Sequence, residues 1–207
     1  MLRESAHISR KLVQNVLRAF DYARARDMPL NLYVVLNLVE TDAHAAATLF
    51  EMIRHKYRDW LTYRTRKIDG HIPPMYVFTF EADPHPHVNW VLRVPPFLLD
   101  EFEHKLLKWV AKVQKPGPYD IHVQRLERGG PYKSLANYIC KGCHPDFIEH
   151  FHLTELHAKH GEQGTFWGKR AGVSPSLNKS VRDAYGYNPR RRTITTATPI
   201  VPKVPVK

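Results

Sequence analysis

The 207-residue chain has only two cysteines, Cys140 and Cys143. Two thiols do not make the disulfide framework that holds small secreted domains together. Long apolar runs are also missing. No stretch approaches the ~20 residues a membrane span needs, so no membrane partner is expected. Residues 1–26 interleave charged and apolar side chains without an apolar core, unlike a signal peptide, and a cytoplasmic protein is expected. There is no internal repeat, no helicase segment and no glycine-rich phosphate loop. Acidic residues are few: 20 Asp and Glu stand against 31 Lys and Arg, a formal charge of +11. That deficit favours a polyanionic partner, nucleic acid ahead of an anionic surface.

Apolar residues make up 43% of the chain, enough for a domain with a core. Ile8, Leu12, Val16, Ala19 and Phe20 recur at helical spacing, which predicts an opening helix ending near Asp27. Leu30 to Val39 alternates, with Leu30, Leu32, Val34, Leu36 and Leu38 on one face and Asn31, Tyr33, Val35 and Asn37 on the other. A helix capped by Thr41 follows, with Leu49, Ile53 and Trp60 inward. Met75 to Glu81 and His85 to Val94 read as a hairpin, Phe97 to Val113 as a helix and Tyr119 to Leu126 as a strand. Ser134 to Cys140 reads as a short helix, and Thr165 to Val173 as a fifth strand. The expected fold is α+β: a central antiparallel five-stranded sheet with helices packed on it. The expected organisation is an N-terminal helix over 1–28, a main domain over 29–185, and a basic, disordered tail over 186–207.

Two constellations carry chemistry. His85 and His87 are two apart on a strand, so both imidazoles leave one face, while Pro86, Val88, Trp90, Leu92 and Val94 form the apolar opposite face. In the preceding strand Tyr76, Phe78 and Phe80 seek the core, which puts Thr79 and Glu81 on the histidines' side. A three-residue turn would set Glu81 opposite His85, about 5 Å away. Two imidazoles and a carboxylate suit a divalent metal with open positions; His122 is a rival third ligand. Tyr138 and Lys141 are three apart, on one face of a helix. A nearby ammonium favours phenolate and can stabilise charge on a phosphate. Candidate nucleic-acid contacts are Asn37, Asn89 and Arg93 on the polar sheet face, and beyond it Lys169, Arg170, Lys179, Arg190, Arg191 and Arg192.

The motifs and their order resemble the His-hydrophobic-His (HUH) endonucleases, in particular the rolling-circle replication initiators of bacterial plasmids and phages. His85-Pro86-His87 followed by Val-Asn-Trp-Val-Leu is similar to their histidine motif, and Tyr138-Ile139-Cys140-Lys141 to their Tyr-x-x-Lys motif. The segment from Gly164 to Ser174 resembles their later region. The resemblance covers roughly residues 30 to 175. It implies a nickase in which His85 and His87 hold Mn²⁺ or Mg²⁺ and Tyr138, assisted by Lys141, attacks single-stranded DNA or an origin hairpin. The products would be a 5′-phosphotyrosine link and a free 3′-hydroxyl, reversible by strand rejoining. Unwinding and synthesis would fall to a host helicase and polymerase. Two departures stand out: the central residue of the histidine motif is Pro86, and Val77 and Thr79 occupy the region where such proteins often place the metal-binding acid. Tyr132, six residues before Tyr138, is off the helical repeat, so one catalytic tyrosine is expected.

Other readings compete. A single-tyrosine transposase would use the same chemistry. Cys140-Lys141-Gly142-Cys143-His144 fits the haem-attachment pattern C-x-x-C-H. The two cysteines with His150, His152, His157 or His160 could hold a structural Zn²⁺. Such a site would coexist with nicking. As a separate alternative the chain would be a non-catalytic single-strand binding module with that zinc site and with Tyr33, Trp90 and Trp167 as stacking surfaces.

Overall fold

The computed structural model describes residues 4–38, 43–68, 72–126 and 132–195. Among these residues seven strands run in chain order: β1 (Glu4–Ser5), β2 (Leu32–Asn37), β3 (Tyr76–Glu81), β4 (His87–Leu92), β5 (Ile121–Arg125), β6 (Phe166–Trp167) and β7 (Ala171–Val173). The same residues form six helices: α1 (Arg10–Ala25), α2 (Ala43–Thr65), α3 (Leu99–Val110), α4 (Tyr132–Tyr138), α5 (Thr154–His160) and α6 (Lys179–Ala184). Five strands form one antiparallel sheet in the order β5-β2-β4-β3-β7, and β1 pairs with β6 in a separate ribbon. This is the expected α+β architecture.

The alternation along the strands sorts their side chains into two cores. Leu32, Val34, Leu36, Phe78, Phe80, Val88 and Trp90 face α2 and α3, where they meet Phe50, Ile53, Tyr57, Leu61, Phe102 and Leu106. Trp90 is fully buried, with Phe50, Tyr57 and Phe102 at ring-centre distances of 5.5, 5.2 and 6.1 Å. Each such aromatic pair adds about 0.5–1.5 kcal/mol to the burial itself. The opposite face is not bathed in water. Tyr33, Val77, Val91 and Ala171 pack there against α1 (Val13, Val16, Ala19, Phe20) and against Ile139, Cys140 and Cys143 beyond α4. Polar groups on this face are therefore enclosed.

Three local expectations change. On α2 the inward stripe is Phe50, Ile53, Tyr57 and Leu61, with Leu49 and Trp60 half-buried. The Tyr57 hydroxyl reaches the sheet and donates to the Arg93 carbonyl at 2.7 Å, while Trp60 turns its indole N–H to Glu101 on α3. The single strand expected over Thr165 to Val173 is broken at Gly168, whose φ of 103° is open mainly to glycine, so its halves join different sheets. Third, the disordered tail does not begin at 186. Tyr187 packs on Tyr22 with ring centres 5.3 Å apart, and Arg192 Nε lies 3.4 Å from Asp21 Oδ2 on α1. Thr41 and the tail from 196 lie outside the described residues. Among the described residues, no helix is long and apolar enough to cross a membrane.

Candidate active site

The hairpin places Glu81 directly opposite His87, not His85. Five residues, Ala82 to Pro86, separate the paired ends, two more than the expected turn, so the register moves by one pair. His87 Nδ1 lies 3.0 Å from the His85 carbonyl, which can only accept, so Nδ1 carries the hydrogen. Nε2 then faces Glu81 Oε2 at 3.0 Å. A lone pair opposed to a carboxylate oxygen is unfavourable, so that edge calls for a proton or a cation. Glu81 Oε1 accepts from Asn89 Nδ2 at 2.5 Å and from Lys141 Nζ at 2.6 Å. The chain continues to Tyr33, whose hydroxyl donates to Asn89 Oδ1 at 2.5 Å.

This network sits under α1 and α4, and its energetics follow from burial. Glu81 is 6% and Lys141 3% exposed. Burial raises the Glu81 pKa, but the hydrogen bond from His87 and the charge of Lys141 outweigh it and bring the group down to about 2. Burial, helped by the nearby Tyr138 and Glu81, pushes the Tyr33 phenol well above its ordinary range, so it stays a neutral donor.

Tyr138 ends α4. Lys141 is not on the helix; a tight turn follows in which the Lys141 N–H donates to the Tyr138 carbonyl at 3.1 Å. The turn folds the lysine back so that its ammonium lies 3.8 Å from the centre of the Tyr138 ring. One buried cation therefore joins Tyr138 to Glu81. The His160 ring, at the end of α5, stands edge-on to Tyr138 with centres 5.4 Å apart and planes at 85°. Gly161 follows with φ 64° and ψ −158°, a conformation open mainly to glycine, and α5 stops at that histidine.

The residues fit a divalent cation in donor type. His87 Nε2 and Glu81 Oε2 are separated by about the distance between adjacent ligands of an octahedral Mn²⁺ or Mg²⁺, ~3 Å for bonds near 2.1 Å. The Nδ1 bond to a carbonyl is the customary brace for a ligating imidazole. His85 stands beside them, its ring centre 6.0 Å from that of His87. Among the described residues, no three His, Cys, Asp or Glu side chains form a ready-made metal cluster. His122 does not compete: it is exposed on β5, in register with Val35 of β2, which in turn pairs with Asn89. Two strand spacings, about 10 Å, separate it from Asn89.

The expected DNA contacts divide. Asn89 is enclosed in the network. Asn37, in register with His87, donates to the Tyr119 carbonyl at 2.8 Å, and Arg93 donates to the Pro29 carbonyl at 3.1 Å. Arg170 is 2% exposed and donates to the carbonyls of Ser5, Ala6, Gln163 and Gly164, stapling β1 to the loop before β6. It belongs to the framework and not to a DNA surface. Lys169, Lys179, Arg190, Arg191 and Arg192 are exposed, with Lys179 2.5 Å from Asp183. Cys140 and Cys143 are fully buried, and burial raises both thiols, Cys143 to about 11.

No protein-family model matches the chain, and no curated protein is significantly similar to it. The site's own chemistry therefore carries the functional reading. Sequence reasoning gave two members of the site other roles, Tyr33 as a stacking surface and His160 as a zinc ligand. Tyr33 was detectable, since it alternates onto the face of Asn37 two strands from Glu81. His160 sits in a histidine-rich stretch, and only the fold singles it out from His150, His152 and His157.

Proposed function

We propose that this chain is a single-strand DNA nicking and joining enzyme of the rolling-circle initiator type, with Tyr138 as nucleophile. The observation that supports it is convergence. Tyr138, Lys141, Glu81 and His87 come from a helix end, a turn and both strands of a hairpin, and one buried ammonium links the tyrosine to the carboxylate. A buried cation beside a phenol suits a nucleophile, because it stabilises both the phenolate and the phosphate under attack. Lys141 lies on the ring face and stabilises negative charge on the phenolate oxygen and on the phosphate. Glu81 holds that ammonium in place, and Asn89 and Tyr33 fix the carboxylate. His87 and Glu81, with His85 beside them, would hold Mn²⁺ or Mg²⁺, which when bound supplies Lewis acidity at the scissile phosphate. Attack leaves the 5′-phosphate on Tyr138 and frees a 3′-hydroxyl; the reverse reaction rejoins the strand.

The test is adduct formation with labelled single-stranded oligonucleotides from the gene's own neighbourhood, with Mn²⁺ or with EDTA, on denaturing gels. The wild type should form a metal-dependent adduct. Tyr138→Phe should abolish it, and His87→Ala should reduce it at least 100-fold. An adduct that survives Tyr138→Phe, or none on any strand despite DNA binding, would overturn the reading.

A further inference from the structure

A phenol must lose its proton to attack phosphorus, and the groups packed on Tyr138 can be compared as acceptors. The Lys141 ammonium, held by Glu81 at 2.6 Å, has no free lone pair. Tyr33, the other phenol near Tyr138, is a donor committed to Asn89. Glu81 has one oxygen shared by Asn89 and Lys141 and the other facing His87. Among the described residues a further titratable ring packs on Tyr138, that of His160, edge-on at 5.4 Å. Its ring is half-buried, so one side meets the tyrosine and the other reaches water, and its carbonyl is held by Gln163 Nε2 at 3.0 Å.

We propose that His160 is the general base for Tyr138, taking the phenolic proton as the oxygen attacks and, reprotonated from solvent, supplying one to the departing phenolate when the strand is rejoined. This rests on the nicking reading above. In the forward step the Tyr138 O–H bond breaks and its proton passes to an imidazole nitrogen. The Tyr138 oxygen bonds to phosphorus, and the bond from phosphorus to the 3′ oxygen breaks with its electron pair. The 3′ oxygen takes a proton from water, and the imidazolium releases its own to solvent. The surroundings suit the role. Burial first, then the charges of Lys141 and Lys159, lower the His160 pKa, opposed by Glu81, so the ring is neutral and able to accept at pH 7.

The experiment is single-turnover adduct formation by the full chain in Mn²⁺ from pH 5.5 to 8.5, for wild type, His160→Ala and His160→Gln, with and without added imidazole. DNA affinity and melting temperature are measured in parallel. The wild-type rate should rise with pH and level off below 7. Both variants should lose about 100-fold in rate, the usual scale for general-base loss, with DNA affinity unchanged. The inflection should vanish, and free imidazole should restore the rate of His160→Ala. Variants within threefold of wild type with the same profile would overturn the proposal, as would a loss that imidazole does not repair. Either result with a Tyr138 adduct intact leaves the nicking reading standing; absence of any wild-type adduct removes both.

Discussion

At the scale of single residues, Glu81 has the most depressed carboxyl in the candidate site. It titrates near 2 in the folded chain against 4.5 for a free side chain, a difference worth about 3 kcal/mol. Because the folded value is the lower one, this stability is present above pH 4.5 and is lost as pH falls from 4.5 towards 2. Urea unfolding in EDTA should show the wild type losing about 3 kcal/mol more than Glu81→Gln on that descent. At pH 7 the variant should already be weaker by about 3–5 kcal/mol, since Lys141 stays buried without its partner. Equal acid losses in the two proteins would show that Glu81 is not held as described. The sequence placed Glu81 and His87 on one sheet face through strand parity, but it set Lys141 beside Tyr138 on a helix face, where the fold uses the turn after α4. It left His85 and His87 undivided, because which one meets the carboxylate depends on turn length.

Elements were legible where alternation or helical spacing runs long. All five strands of the main sheet were expected, and β3 and β4 differ from the reading only at their ends. The reading failed where the signal is a single residue. Gly168 splits one strand into β6 and β7, and α4 stops at Tyr138 although its spacing suggested a helix reaching Cys140. Gly172 illustrates how tightly β7 is fitted to its neighbour. A Cβ there would lie 2.6 Å from Phe78 Cζ and 2.7 Å from Cε1, and Phe78 is itself wedged against Phe50 and Phe80 with ring centres 5.2 and 5.7 Å away. Gly172→Ala should cost about 1–3 kcal/mol through overpacking and lower the melting temperature accordingly. An unchanged melting temperature would mean that the Phe78 ring swings aside at no cost.

For the whole molecule, composition disclosed the excess of positive charge but not its distribution. Arg170 was indistinguishable in sequence from its exposed neighbour Lys169, yet it is spent on four carbonyls inside the fold. The second core was likewise illegible, because α1 and α4 cover the sheet face that alternation alone would leave in water. If Lys169, Lys179, Arg190 and Arg191 each meet a phosphate, single-strand affinity should fall roughly 50-fold between 50 and 200 mM salt, a logarithmic slope of about 0.7 per contact. Fluorescence anisotropy with a labelled oligonucleotide would measure it, and replacing both arginines should flatten the slope by about 1.4. A salt-independent affinity would exclude these side chains as the docking surface.

The ribbon of β1 and β6 has a consequence in time. The Ser5 hydroxyl donates to a carbonyl 161 residues further along, and Arg170 closes the same junction. At about 5–20 residues per second, a ribosome needs roughly ten to thirty seconds to deliver that partner. Until then β1 has nothing to pair with, and the loop that leads from His160 to β6 has no anchor. Tyr138 precedes Phe166 by only 28 residues, roughly one to six seconds of synthesis, so the tyrosine and the closure of this junction arrive almost together while β1 waits for both.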